Sequence, residues 1–133
     1  MASFCKHLNL VHSFHTFSGT DGKRAHEHLL DFVEVYFSQD AQLDSKVHNS
    51  HRPPIFLQQP GHSMTIIGFE RCNSGKRNLL VFDPAFGPPK QLQDLASKPA
   101  RSVKAADCAD LLLKTYRRSA IQLEKYREFE ILT

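Results

Sequence analysis

Two residues in this chain are best placed to do chemistry: His62, which follows Gly61, and Asp83, which precedes Pro84. His62 opens the run His-Ser-Met-Thr-Ile-Ile-Gly-Phe-Glu, and Asp83 closes the run Leu-Leu-Val-Phe-Asp. An imidazole can take the proton of a thiol, and a carboxylate on its other side fixes which ring nitrogen does so. His62 and Asp83 thus read as the base and its orienter, two of the three members of a cysteine hydrolase triad. Taken singly, each has a plainer reading: a histidine at a loop edge, and an Asp-Pro pair that starts a turn. Only their being brought together makes a site.

The elements around them allow that. Ile55–Gln58 is expected to be a short strand, entered from Pro53-Pro54, which force extended backbone before each proline. Ser63–Glu70 is rich in Thr, Ile and Phe and is expected to be the next strand. Residues 71–76, Arg-Cys-Asn-Ser-Gly-Lys, supply a hairpin turn, and Arg77–Phe82 the return strand. Both long strands are apolar on both faces near their middles, at Ile66-Ile67 and Leu80-Val81, as in the interior of a covered sheet. If Glu70 closes the hairpin opposite Arg77, Asp83 falls opposite Met64. His62, two residues before Met64, then shares its face. The two make a diagonal pair roughly 7–8 Å apart at the backbone. An odd-numbered loop would put them on opposite faces.

The rest of the chain fills out an α+β domain. Leu8–Phe17 alternates loosely and suits a strand; residues 18–22 are turn formers. His28–Phe37 carries Leu29, Leu30, Phe32, Val33, Tyr36 and Phe37 at helical spacing. Residues 41–52 read as a surface loop, Gln91–Leu95 as a helical turn, Ala106–Arg118 as a helix, and Glu128–Thr133 as a last strand.

At 133 residues the chain is one domain at most, with 41% hydrophobic residues and ten Phe for its core. The net charge of +3 is mild and the 17 basic residues are scattered, so the basic stripe of a nucleic-acid binder is missing. Lys23-Arg24 and Arg117-Arg118 read as solvated faces. Cys5, Cys72 and Cys108 share no Cys-x-x-Cys spacing; an odd count and no signal-peptide run point to a cytosolic or nuclear protein without disulfides. No stretch is long and apolar enough for a membrane span. His26, His28, His48 and His51 lack carboxylates in register, so no metal site and no cofactor are expected. None of the cysteines suits the nucleophile: Cys5 precedes a strand, Cys72 sits in the turn far from His62, and Cys108 lies in a helix with a core role. Apolar pattern begins within the first few residues, as if the chain were part of something longer.

The run Pro-Pro-Ile-Phe-Leu-Gln-Gln-Pro-Gly-His-Ser-Met-Thr-Ile-Ile-Gly-Phe-Glu, with Leu-Leu-Val-Phe-Asp-Pro downstream, resembles the zinc-finger-containing ubiquitin peptidase and UFM1-specific protease-like family of papain-like cysteine peptidases. Phe-His-Thr-Phe-Ser-Gly-Thr-Asp-Gly, the helix ending Val35-Tyr36-Phe37-Ser38, and Tyr116-Arg117-Arg118-Ser119 also match, so the resemblance covers nearly the whole chain. It implies a papain-like fold in part, residues 1–133 being its C-terminal portion: a central antiparallel sheet with flanking helices, without the helix that carries the nucleophile. It implies His62 as catalytic base and Asp83 as its orienting carboxylate, with ubiquitin, polyubiquitin or a ubiquitin-like modifier as partner. The UFM1-directed members carry Asp-Pro-His; here Ala85 follows Pro84, which favours the ubiquitin-directed branch. Without the nucleophile the chain would be inactive, or would serve as a non-catalytic binder of the modifier. Without the nucleophile helix, Ile66, Ile67, Leu80 and Val81 would be partly uncovered.

Overall fold

The computed structural model describes residues 11–39, 46–97 and 113–133. Their elements run β1 (Phe14–Ser18), α1 (Ala25–Ser38), β2 (Ile55–Gln59), β3 (His62–Arg71), β4 (Arg77–Phe82), α2 (Lys90–Ala96), β5 (Arg117–Ser119), α3 (Ala120–Leu123) and β6 (Glu128–Leu132). The six strands form one antiparallel sheet in the order β1-β6-β2-β3-β4-β5. The architecture is α+β, as expected from the sequence, and fits a partial papain-like peptidase fold.

Alternation decides the two faces of the sheet. Ile55 and Leu57 of β2, Met64 and Ile66 of β3, Leu79 and Val81 of β4, and Phe129 and Ile131 of β6 all point one way and are buried. Helix α1 lies across this face and buries Ala25, His26, Leu29, Leu30 and Val33, the recurrence at three and four residues that one helical face requires. Charge pins it there. Asp31 meets Arg77 at 2.5 Å and Lys23 at 2.8 Å, and Glu34 accepts from Arg71. The helix begins three residues earlier than the apolar pattern alone indicates, because Glu27 reaches back to accept the Arg24 backbone N–H at 2.7 Å at the helix start.

Ile66 and Val81, expected to be partly uncovered, are instead fully buried beneath α1. Their neighbours Ile67 and Leu80 lie on the other face, where Ile67 is 37% exposed. On that outer face Phe14, Leu132, Phe56, Thr65 and Phe82 stand opposite one another in register across five strands. Phe14 and Phe82 are half exposed there.

Helix Ala106–Arg118 is corrected at its C-terminal end; residues 98–112 lie outside the described residues. Arg117–Ser119 is a strand, because the free edge of β4 offers unpaired backbone groups that it takes up. The ladder continues through Val81 N–H, which donates to the Tyr116 carbonyl at 2.8 Å.

The turn into β3 is Pro60-Gly61, and Gly61 has φ 77°. Proline followed by a residue with positive φ is the signature of a type II turn. Gly61→Ala therefore places a side chain in left-handed backbone immediately before His62. We expect a loss of about 1–2 kcal/mol, read as a lower urea midpoint at unchanged slope.

Candidate active site

The hairpin between β3 and β4 does not close as the sequence reading expects. Arg71, not Glu70, stands opposite Arg77, leaving a five-residue turn over 72–76. Continued regularly, that register would send His62 and Asp83 to opposite faces. Instead the pairing slips by one between Ile66 and Gly68, a β-bulge with Ile67 as the extra residue. Beyond the bulge Ile66 pairs with Val81 and Thr65 with Phe82, so Asp83 arrives opposite Met64 after all. Two offsets, one at the turn and one at the bulge, cancel.

The two side chains meet on the α1 face. His62 Nε2 lies 2.7 Å from Asp83 Oδ1. The Asp83 side chain is 4% exposed and that of His62 is 32% exposed, so a buried carboxylate holds a ring that solvent can reach. Asp83 Oδ1 also accepts the Ala85 backbone N–H at 2.9 Å, the turn that Pro84 enforces. Its other oxygen, Oδ2, accepts from Arg118 Nη2 at 2.6 Å.

Burial pushes the Asp83 carboxyl up, but the Ala85 N–H, the Arg118 guanidinium and the His62 ring outweigh it and hold it below the usual carboxylate range. An ionised carboxylate only accepts, so Nε2 carries the proton of the neutral ring and Nδ1 keeps its lone pair. That is the tautomer a base needs.

The site opens into a cleft of about 540 Å³ lined by Gln59, His62, Met64, Asp83, Arg118 and Tyr126. Gln59 is the direct cross-strand partner of His62 and is buried beside it. Neither Gln59 nor Arg118 was singled out by sequence reasoning. Arg117-Arg118, expected on a solvated face, are corrected: Arg118 is bound to Asp83, and Arg117 to Glu70 at 2.6 Å on the outer face. Only the β4–β5 pairing could have revealed this. Lys23 and Arg24 do face solvent, each on a carboxylate, Asp31 and Glu124.

Among the described residues no three His, Cys, Asp or Glu side chains gather as a metal site. His28 Nε2 is instead 3.2 Å from the Thr20 carbonyl. Cys72 follows the last residue of the ten-residue strand that His62 begins, roughly 30 Å away along it. It cannot serve His62. Cys5 and Cys108 lie outside the described residues. No helix among the described residues is long and apolar enough to cross a membrane.

Comparison with known proteins places the whole chain. The model of peptidase family C78 matches residues 1–132. The chain belongs to the peptidase C78 family. Within it, the chain is 33% identical over 119 residues to zinc finger-containing ubiquitin peptidase 1 of Macaca fascicularis. It is 32% identical to the Homo sapiens protein of that name and 30% to that of Mus musculus. Each alignment covers 90% of this chain and 18% of the relative. This C78 chain thus spans about a fifth of the length of the curated relatives it matches.

Acid stability reports on the carboxylate of this site. A group whose pKa is lower folded than unfolded stabilises the fold above the unfolded value, about 4 for Asp. That stabilisation is lost as pH falls through the depressed folded value. Asp83 contributes in this sense, and so do Asp31, whose Arg77 and Lys23 partners lower it, and Glu27, lowered by the Arg24 N–H. Urea midpoints should hold from pH 7 to about 5 and then fall. Asp83→Asn should be less stable at pH 7 and show a flatter acid limb; parallel limbs would rule Asp83 out as a contributor.

Proposed function

We propose that residues 1–133 are the base-carrying, C-terminal part of a papain-like cysteine peptidase domain that releases ubiquitin, polyubiquitin or a ubiquitin-like modifier from its conjugates. The observation that carries the reading is the His62–Asp83 contact, at 2.7 Å, in a chain of family C78. The ubiquitin direction is supported by the names of the relatives.

The chemistry follows from the tautomer. His62 Nδ1 accepts the thiol proton, and the thiolate attacks the carbonyl that ends the modifier. The imidazolium, steadied by Asp83, then protonates the departing amine, leaving a thioester. Water, deprotonated by the same imidazole, frees the modifier and restores the thiol. The nucleophile comes from sequence outside these 133 residues, so this chain by itself is inactive. A cytosolic or nuclear setting belongs to the same reading.

Ubiquitin ending in a propargylamide, which captures an active-site thiol, provides the test. The chain alone should remain unlabelled by intact-mass measurement. The natural reading frame, extended upstream, should be labelled at a cysteine outside residues 1–133, and His62→Ala should abolish that labelling. Capture by Cys5, Cys72 or Cys108 in the chain alone would overturn the placement of the nucleophile. An extended form inert to both the ubiquitin probe and its ubiquitin-like counterparts would overturn the peptidase reading.

A further inference from the structure

Arg118 lies in one of the runs that resemble the family, but the triad logic gives it no role. Its guanidinium is a built element, not a surface cation that has fallen onto a carboxylate. Its side chain is 13% exposed. Nη2 donates to Asp83 Oδ2 at 2.6 Å, while Nη1 donates to the Thr115 and Arg117 carbonyls, both at 2.9 Å. The Phe86 ring lies against the guanidinium, 5.7 Å from its carbon. Both terminal nitrogens of the fork are thereby held.

The consequence for Asp83 is geometric. A carboxylate bonded only at Oδ1 can rotate about its terminal torsion, which is broad. Both Asp83 oxygens have dedicated donors, so the group cannot turn without breaking one set of bonds. Oδ1 is left facing His62 Nε2 and Oδ2 is turned away from the ring. The donors come from three parts of the chain: β3 for His62, the loop after β4 for Ala85, and β5 for Arg118. β5 pairs with β4 through residues 78–80, just before Asp83, so the strand that delivers Arg118 also stiffens the strand that delivers the carboxylate.

We propose that Arg118 is a positioning residue of the site: it locks the Asp83 carboxylate by its outer oxygen so that the inner oxygen holds His62 in the Nε2–H tautomer. The assignment deepens the peptidase reading and rests on it for its purpose, though not for its geometry. The depressed Asp83 carboxyl agrees with it. Lys does not replace Arg here, since one ammonium cannot meet Oδ2 and two backbone carbonyls in the planar fork that Arg supplies.

The test reads the ring and the carboxylate directly, with no modifier present. In the whole chain, nitrogen-15 shifts of the His62 ring report the tautomer, and the carbon-13 shift of the Asp83 carboxyl reports its titration. Arg118→Met should move the Asp83 midpoint upward and shift His62 from a predominantly Nε2–H ring towards a mixture. Arg118→Lys should restore the Asp83 midpoint in part but leave the ring mixed. Arg117→Met, which removes the Glu70 partner on the opposite face, should change neither signal. Should Arg118→Met fail to fold, Arg118→Ala, which likewise leaves Oδ2 without its donor, carries the same readings. An unchanged tautomer and midpoint in the folded neutral variant would overturn the proposal. These signals are independent of the propargylamide result, so a positioning arginine in a chain without peptidase partners, and a peptidase whose Asp83 needs no clamp, are separate outcomes.

Discussion

Deleting Ile67 leaves the His62–Asp83 contact in place, whereas deleting Thr65 together with Ile67 destroys it: this is the expected result, and the bulge is the reason. Ile67 is the extra residue of β3, with Gly68 paired to Leu80 on one side and Ile66 to Val81 on the other. Removing it turns an irregular ladder into a regular one and keeps every other partner. The cost should not exceed about 1–2 kcal/mol, since Ile67 is partly exposed on the outer face. Thr65 is different. It pairs with Phe56 and Phe82, and once Ile67 is gone no surplus residue remains to absorb its loss, so residues 62–64 shift by one against Ile66. Either Met64 and His62 turn outward or Ile66 does, because side chains alternate strictly along a strand. Expelling one such buried aliphatic side chain costs about 2–5 kcal/mol, and both neighbouring ladders lose register as well. Against a typical total of about 5–15 kcal/mol, that leaves little or no folded protein at 25 °C. Thermal melts followed by circular dichroism, with the His62 ring resonances as the local reporter, distinguish the two deletions. Equal damage from both would mean that the bulge does not set the face on which His62 sits.

The second large effect lies far from the site. Phe129 is fully buried in β6, in contact with Tyr126 at 5.9 Å between ring centroids, and stands opposite Phe17 of β1. β6 is the strand that joins β1 to the rest of the sheet, since it pairs with β1 on one side and β2 on the other. Phe129→Ala removes a large side chain from a core that cannot collapse around it without moving that strand. We expect a loss of about 3–5 kcal/mol, while Glu130→Ala, on the exposed side of the same strand, should stay within about 0.5 kcal/mol. Urea unfolding gives both values from the midpoint at constant slope. A loss below 1 kcal/mol for Phe129→Ala would place the core's weight elsewhere, under α1 alone.

The two deletions and the core substitution test different kinds of information. By itself the sequence determined the elements beside the site. Pro53-Pro54, Pro60-Gly61 and the Ser74-Gly75 turn mark where β2, β3 and β4 start and stop, because turn residues act through local backbone sterics. It also determined the chemistry on offer, a histidine and an aspartate at adjoining strand ends.

Tertiary structure decided whether those two could meet. A pair of adjacent isoleucines carries no signal that one of them is surplus; that depends on how β4 lies against them. The same holds for Arg118, whose partners Asp83, and for Arg117, Glu70, lie 35 and 47 residues away in the chain. The apolar spacing of residues 106–118 suggests helix, and only the unpaired edge of β4 draws residues 117–119 into a strand. Likewise the alternation of Glu128–Leu132 marks a strand without saying that it slots between β1 and β2. Local patterns are written in consecutive residues, whereas register, strand order and ion pairing are properties of surfaces that exist only once the chain has folded.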